Sequence, residues 1–512
     1  MAIGPERLAA ALADLKGLQD RGLIAIRSSD LPGATRQRLV KAGFLHKVMR
    51  GWYIPASPDE VPGDSTPWYT SFWTFIARYL DIRFRNRWCL SAEQSLALHV
   101  GDRTVPLQLL VRAPAGRNKR TALAYGTSLF ELRRELPPAA DLEVKDGLRM
   151  MRLPVALIHA SSDMFRARPE EMRAALAMIA DASELLHPLL NGGHSHIAGR
   201  LIGAFRNIGR EALANDVKNA MSAAGYVVRE TDPFTEKLPT LLSLRIRSPH
   251  VLRIQLNWAR MRAAVLELFP PPPGLPVDRP AYLREVDEVY TIDAYHSLSI
   301  EGYRVSAELI ERVRAGDWNP AMREADRRDQ NALAARGYWQ AFQEVKRSLE
   351  KILAGESAGA TVHRDHGGWY REMFAPQVAA QIVEPATLAG YRNGPVFIRR
   401  SRHLPPSVEA VRDLMPTFFE LLEQEQEPAV RVVLGHFFFV FIHPYMDGNG
   451  RMGRFLMNAM LASGGYPWRV VPLAGRAAYM AALESASTEA EIRPFARFLA
   501  NLVTAPNVAA PA

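Results

Sequence analysis

His443-Pro444-Tyr445-Met446-Asp447-Gly448-Asn449-Gly450-Arg451-Met452-Gly453-Arg454 is the stretch on which the reading of this 512-residue chain turns. On its N-terminal side, Val432 to Ile442 (VVLGHFFFVFI) reads as a buried helix that stops at His443-Pro444. On its C-terminal side, Phe455 to Leu461 (FLMNAML) is apolar enough to anchor a second buried helix. Gly448-Asn449-Gly450 therefore falls where a new helix begins, and the first amides of a helix have no intrahelical acceptor. Those donors, together with the positive end of the helix dipole, make an anion site. Glycines there let phosphate oxygens approach the backbone closely.

The side chains of the stretch suit a nucleoside triphosphate. His443 is a base that works near neutral pH. Asp447 is a hard oxygen ligand, suited to one Mg²⁺ that also touches phosphate. Arg451 and Arg454 lie three apart on the new helix, so they share a face and can hold different phosphates of one chain. The plain alternative is a capped helix–loop–helix with its arginines in water.

The stretch resembles the signature of the Fic family, H-P-F-x-(D/E)-G-N-G-R-x-x-R, with Tyr445 standing where the family usually has Phe. The resemblance implies an all-α domain that transfers AMP from ATP to a Ser, Thr or Tyr hydroxyl of a target protein. It assigns His443 as catalytic base and Asp447 as Mg²⁺ ligand. Gly448, Asn449, Gly450, Arg451 and Arg454 become the nucleotide-binding set, with Arg451 at the β-phosphate and Arg454 at the γ-phosphate. Upstream, Ser297-Leu298-Ser299-Ile300-Glu301-Gly302 resembles the family's inhibitory motif, (S/T)-x-x-x-E-(G/N). By that resemblance Glu301, on one helix face with Ser297, pairs with Arg454 and holds the enzyme inhibited. Between the two motifs, Tyr391-Arg392-Asn393-Gly394-Pro395-Val396-Phe397-Ile398 reads as a turn and an apolar run, hence a short hairpin. The resemblance makes that hairpin a flap over the site, with Val396, Phe397 and Ile398 binding the target by strand addition. The likeness runs from near Ala281 to near Val503 and includes Gly465-Tyr466-Pro467.

Composition frames the site. A chain of this length holds roughly two to four domains. The single cysteine, Cys89, excludes an internal disulfide framework and suits a reducing compartment. No signal-peptide layout and no membrane-spanning apolar run is present, so a cytoplasmic protein without a membrane partner is expected. The formal net charge is +9. Residues 1–55 hold nine Lys/Arg against four Asp/Glu, so that stretch alone carries 9 − 4 = +5.

That stretch reads as a helix over Arg7–Gln19, a short helix capped by Ser28-Ser29-Asp30 and a helix over Ala34–Ala42. Two strands follow, Phe44–Val48 and Trp52–Ile54, joined by Met49-Arg50-Gly51. Together these describe an α+β winged helix, with Thr35, Arg36, Gln37 and Lys41 toward the major groove, and Lys47 and Arg50 near phosphate. Arg36, Arg38, Lys41, Lys47 and Arg50 form the candidate DNA-binding set. Gly43 to Tyr53 resembles the N-terminal domain of AbiEi-type antitoxins, which implies operator DNA as a partner. A protein-contact module is the alternative.

The expected organisation is multidomain and mainly α: a winged helix (1–56), a mixed α/β antitoxin-like domain (57–235), a helix and Pro-rich linker (236–280) and the Fic region (281–505). In the middle domain Leu109–Arg112 is a candidate strand, and Ser91–Leu98 a helix. The basic turn Ala115–Arg120 reads as solvated loop, with a phosphate or nucleic-acid contact as the alternative. His194 and His196 read as a helix start, His363 and His366 as capping or salt-bridging groups, and His436 as a satisfied core residue. Further helices are expected at Val251–Leu268, Ser306–Val313, within Glu324–Leu353 and from Ser407 onward. Competing functions are a DNA-binding regulator whose Fic region senses or docks, and an enzyme that removes AMP. A homodimer is compatible with all three.

Overall fold

A computed structural model describes residues 5–58, 63–235, 248–317 and 329–506. The start of the expected 236–280 linker and residues 324–328 of the expected Glu324–Leu353 helix lie outside the described residues. The protein is mainly helical and divides into two compact units. The first comprises Met1–Arg253 together with Phe397–Leu404; the second comprises Ile254–Val396 and Pro405–Ala512.

In the first unit, helices Pro5–Gln19 and Gly33–Lys41 accompany a sheet of β1 (Ile26–Arg27), β2 (Leu45–Met49) and β3 (Trp52–Pro55) in the order β1-β3-β2. Leu15, Leu18, Leu39 and Leu45 close over one another as its core. No helix forms at Ser28-Ser29-Asp30. The Asp30 carboxylate accepts from its own turn at Arg27 N (2.7 Å) and pairs with Arg78 (2.9 Å), so it closes a turn instead of capping a helix. Thr35, expected to face outward, is buried, with its hydroxyl toward Asp14 on the neighbouring helix.

Trp52 and Ile54 of β3 belong to a second core with Trp68, Phe72, Phe75 and Leu80 of helix Thr66–Phe84. Trp52 meets Phe75 and Tyr79 edge to face. Beyond it lie β4 (Cys89–Leu90), helix Ala92–His99, β5 (Gln108–Ala113), β6 (Lys119–Ala122) and β7 (Ser128–Arg133). They form a sheet ordered β4-β5-β7-β6, with β5 and β7 parallel. A hairpin of β8 (Leu142–Lys145) and β9 (Leu148–Met151) leads into helices between Leu153 and Ala223.

The second unit stacks long helices: Arg279–Ile300, Gln330–Leu353, Ala358–Ala379, Val408–Gln424, Pro428–Ile442 and Asn449–Ser463, closed by Arg476–Glu489 and Arg493–Thr504. Helix Pro428–Ile442 starts on a proline, which costs nothing at a position whose amide is unpaired anyway. It is apolar on every side and therefore central. Ser407 caps the helix at Val408 by accepting from Ala410 N, as a serine does at such a start.

The hairpin expected at Tyr391–Ile398 does not form, and no strand occurs among residues 391–407. Pro395, Pro405 and Pro406 each lack the donor a ladder needs. The segment Phe397–Leu404 instead belongs to the first unit. There Arg399 pairs with buried Asp64 (2.8 Å), Arg400 N donates to Thr66 Oγ1 (2.9 Å) and Arg402 O accepts from Val105 N (2.9 Å). Phe397 and Arg399 line a cleft of about 540 Å³ with Asp64, Thr66 and Thr70.

Candidate active site

Helix Pro428–Ile442 ends because His443 turns left-handed, at φ 54° and ψ 60°. For a residue with a Cβ this costs about 1–2 kcal/mol, so the surroundings must hold it there. They do so through Arg392, which is buried. Its Nε donates to His443 O (2.8 Å), and its guanidinium also donates to Gly394 O (3.1 Å) and Pro406 O. Its backbone N donates to Pro444 O (2.8 Å). A cation solvated by carbonyls alone is clamped onto the turn that carries the histidine.

The imidazole is half-buried. Its Nδ1 faces Val440 O at 3.1 Å, so Nδ1 carries the proton and Nε2 keeps the lone pair. Burial pushes His443 down to about 4; Arg392 adds to the depression, while Val440 O, Glu301 and Asp447 oppose it. The side chain is therefore neutral at pH 7.

The loop from Tyr445 to Asn449 closes on itself. Asn449, 2 % exposed, accepts from Tyr445 N and donates to Tyr445 O, both at 2.9 Å. Its side chain is thus a brace, and only its backbone amide is left to meet an anion. Gly448 takes φ 78° at the N-cap of helix Asn449–Ser463, a conformation glycine adopts without strain. Tyr445 is buried and lies flat on Tyr370, ring centroids 3.7 Å apart. Asp447 is exposed; its Oδ1 accepts from Gly448 N (2.6 Å) and its Oδ2 stands 3.4 Å from Arg451.

The two arginines differ. Arg454 is engaged: Nε donates to Ser297 Oγ (2.8 Å), and one terminal nitrogen donates to Ser297 O (3.0 Å) and to Glu301 Oε1 (2.7 Å). Burial would lower its pKa, and the Glu301 charge more than reverses this. Arg451, 1 % exposed, keeps Nε and Nη1 without a hydrogen-bond partner. Its cation lies between the rings of Tyr303 (5.3 Å) and Phe374 (5.1 Å). A buried donor left unpaired costs about 1–3 kcal/mol or more, so this guanidinium is shaped for an anion.

Glu301 stands just past the end of helix Arg279–Ile300 and not inside it. Gly302, at φ 95°, reverses the chain there and lets Tyr303 N bond back to Leu298 O. The Glu301 carboxylate sits over Gly450, where an added Cβ would collide with it. It thus lies at the first turn of the signature helix, where an anionic group is favoured. Burial would raise Glu301, but Arg454 and then Arg451 hold it below the ordinary carboxylate value. Behind Ser297, Asp293 is pushed up to about 6 by burial while accepting from Tyr338 (2.6 Å).

His443, Asp447, Gly448, Asn449, Gly450, Arg451, Arg454, Ser297 and Glu301 lie together in the fold. Val396, Phe397 and Ile398 do not form the expected strand. Arg392, Tyr303 and Phe374 were missed; Tyr303 alone had a local signal, being next to Gly302. His436 is a core residue bonded to Gly453 O and Tyr479. His363 pairs with Glu423, His366 meets Tyr391, and His194 stands at the N-cap position of helix Ser195–Asn207 without a side-chain capping bond. Gln37, Lys41, Lys47 and Arg50 are exposed and Arg38 is half-buried, whereas Arg36 is drawn inward to Ser28 O and the Tyr53 ring.

A Mg²⁺ ion would find two carboxylates here, Glu301, which is held by Arg454, and the exposed Asp447. No group of three or more His, Cys, Asp or Glu able to hold a metal occurs among the described residues. That donor set fits an ion carried mainly by phosphate oxygens and water, with Asp447 as its protein ligand.

Residues 366–461 match the model of the Fic/DOC family. The chain is 37% identical over 123 residues to "Protein adenylyltransferase Fic" of Drosophila mojavensis, covering 23% of this chain and 24% of that protein. The same figures hold for the Drosophila melanogaster protein of that name. The structure aligns with Fic-1 (aa134–508) from C. elegans at 19% identity, covering 69% of this chain and 88% of that one, with a TM-score of 0.35. The chain spans about a quarter (24%) of the length of the curated relatives it matches. The segment that matches the Fic/DOC model includes the whole His443–Arg454 signature and stops short of Glu301.

Proposed function

We propose that the protein is a self-inhibited protein adenylyltransferase, which moves AMP from ATP to a hydroxyl of a target protein. The observation that carries this reading is the contrast of two buried arginines one turn apart: Arg451 leaves Nε and Nη1 unpaired beside the exposed Asp447, and Arg454, with only Nη1 unpaired, is held by Glu301. A polyphosphate satisfies the first at once and the second only by displacing the carboxylate.

In the reaction, the target hydroxyl oxygen forms a bond to the α-phosphorus, and the bond from that phosphorus to the bridging oxygen breaks. The hydroxyl proton passes to His443 Nε2, and pyrophosphate leaves. The negative charge of a bound triphosphate stabilises imidazolium and raises the histidine from its depressed value, toward one suited to a base. Arg451, the first amides of helix Asn449–Ser463 and, once freed, Arg454 orient the phosphates; positioning and electrostatics supply most of such a barrier reduction. Asp447 would hold a Mg²⁺ ion, which would supply charge neutralisation when bound. Glu301 inhibits by occupying Arg454 and the space over Gly450. Exposed Lys41, Lys47 and Arg50 support a further reading, in which the N-terminal segment contacts operator DNA.

The test is label transfer with ATP carrying ³²P at either the α or the γ position, using the Glu301→Gly variant. Adenylyl transfer puts the α label on protein and none of the γ label. Incorporation of the γ label, or of neither, contradicts the proposal.

A further inference from the structure

The first unit holds a cluster of cations that the adenylyl chemistry does not use. Arg112 lies on β5, opposite Cys89 on β4 and Leu132 on β7. It is 8 % exposed, and its guanidinium has no hydrogen-bond or ion-pair partner among the described residues. A buried cation without a carboxylate is costly unless something else satisfies it.

Its neighbours deepen the cost. Arg134 lies two residues beyond Leu132, and its N reaches Ala113 O (3.4 Å), so it falls on the same face of the sheet as Arg112. Arg149 on β9 has a buried Nε with no partner. The basic turn after β5 is drawn to this end of the sheet: Arg133 N donates to Asn118 Oδ1 (2.7 Å) and Arg133 Nε to Gly116 O (2.8 Å). Arg117 in that turn is exposed. His159 and His194 complete the group; the field of Arg112, His194 and Arg134 adds to burial in holding His159 below its ordinary value. Glu93 and Asp141 are the acids within electrostatic reach, and neither pairs with any of these cations among the described residues.

We propose that the C-terminal end of β5 and β7 is a phosphate-binding site, with Arg112 as its recessed donor and Arg134 at its mouth. One phosphate group offers enough acceptors for two guanidinium forks and relieves the repulsion between them. The phosphate is carried by a small nucleotide or by a nucleic-acid strand. The proposal does not depend on adenylyl transfer, because no residue of the second unit takes part.

Hydrogen-exchange mass spectrometry on the full chain tests it, with inorganic pyrophosphate and a short DNA duplex as separate probes. The expected result is slowed exchange across residues 108–118 and 130–136. Arg112→Gln and Arg134→Glu should each raise the half-saturating probe concentration at least about tenfold. Arg134 is exposed, so its variant folds even where the Arg112 one does not. Protection by pyrophosphate assigns a small ligand; protection by duplex alone, weakening with salt, assigns a strand. No protection with either probe, or protection that survives Arg134→Glu, overturns the proposal.

Discussion

Two irregular stretches of backbone are held in opposite ways. The loop Tyr445–Asn449 is braced from within: Asn449 bonds both polar groups of Tyr445, and Gly448 supplies the left-handed turn. The stretch Tyr391–Leu404 is braced from without: Arg392 binds the carbonyl of His443, and Arg399 reaches Asp64, 335 residues away in sequence. The first is a local solution and has a sequence signature. The second depends on partners that no local pattern announces.

Several perturbations act on these braces and on the core beneath them. Acid is the harshest. Burial pushes His366 down to about 4 and His436 down to about 3. In the unfolded chain both titrate near 6.5, so as pH falls below 6.5 the unfolded state takes up protons first. Stability is therefore full above pH 6.5 and drains toward pH 4, at about 3 kcal/mol per pH unit for the pair. Thermal melts from pH 7.5 to 4.5 check this; a flat profile below 6.5 contradicts the buried, neutral assignment.

Next in size is Asn449→Ala, which leaves both Tyr445 groups unpaired. A loss of about 2–3 kcal/mol in denaturant unfolding is expected, with adenylylation in the Glu301→Gly background falling about a hundredfold. Arg392→Ala should cost about 10–100-fold in kcat while leaving KM for ATP within about twofold, because it releases His443 and touches no phosphate donor. Arg392→Lys, which keeps the charge but not the fork, should recover only part of that. Equal losses in kcat and ATP affinity would instead mark Arg392 as a general fold residue. The smallest effect belongs to Arg399→Ala. Its side chain is largely exposed, and the pair with Asp64 is worth about 1 kcal/mol or less. Faster hydrogen exchange confined to residues 397–404, with unchanged melting temperature, is the expected result.

Legibility in the sequence follows the same division. Helix Pro428–Ile442 and the start of Asn449–Ser463 were readable because an apolar run, a proline, two glycines and an asparagine dictate them residue by residue. The pairing of Glu301 with Arg454 across 153 residues was readable only through the resemblance of both motifs to one family. The hairpin over Tyr391–Ile398 was misread, because an Asn-Gly turn before an apolar run signals pairing only if a partner strand exists. Thr35 was misread as outward-facing because helical spacing alone does not say which face meets the neighbouring helix; here Leu39 and Thr35 turn inward together. Arg112 illustrates the remaining limit: a basic residue in an apolar strand reads as an interruption, and only the fold shows that it lacks a partner.

The central claim is that Glu301 restrains a working adenylyl-transfer site. Intact-protein mass spectrometry after incubation with ATP and Mg²⁺ tests it most directly, comparing the wild type, Glu301→Gly, and Glu301→Gly combined with His443→Ala. The account predicts an AMP adduct that is strong in Glu301→Gly, weak in the wild type and missing in the double variant. Equal adducts in the wild type and Glu301→Gly, or none in Glu301→Gly when ATP binding is confirmed, would contradict it.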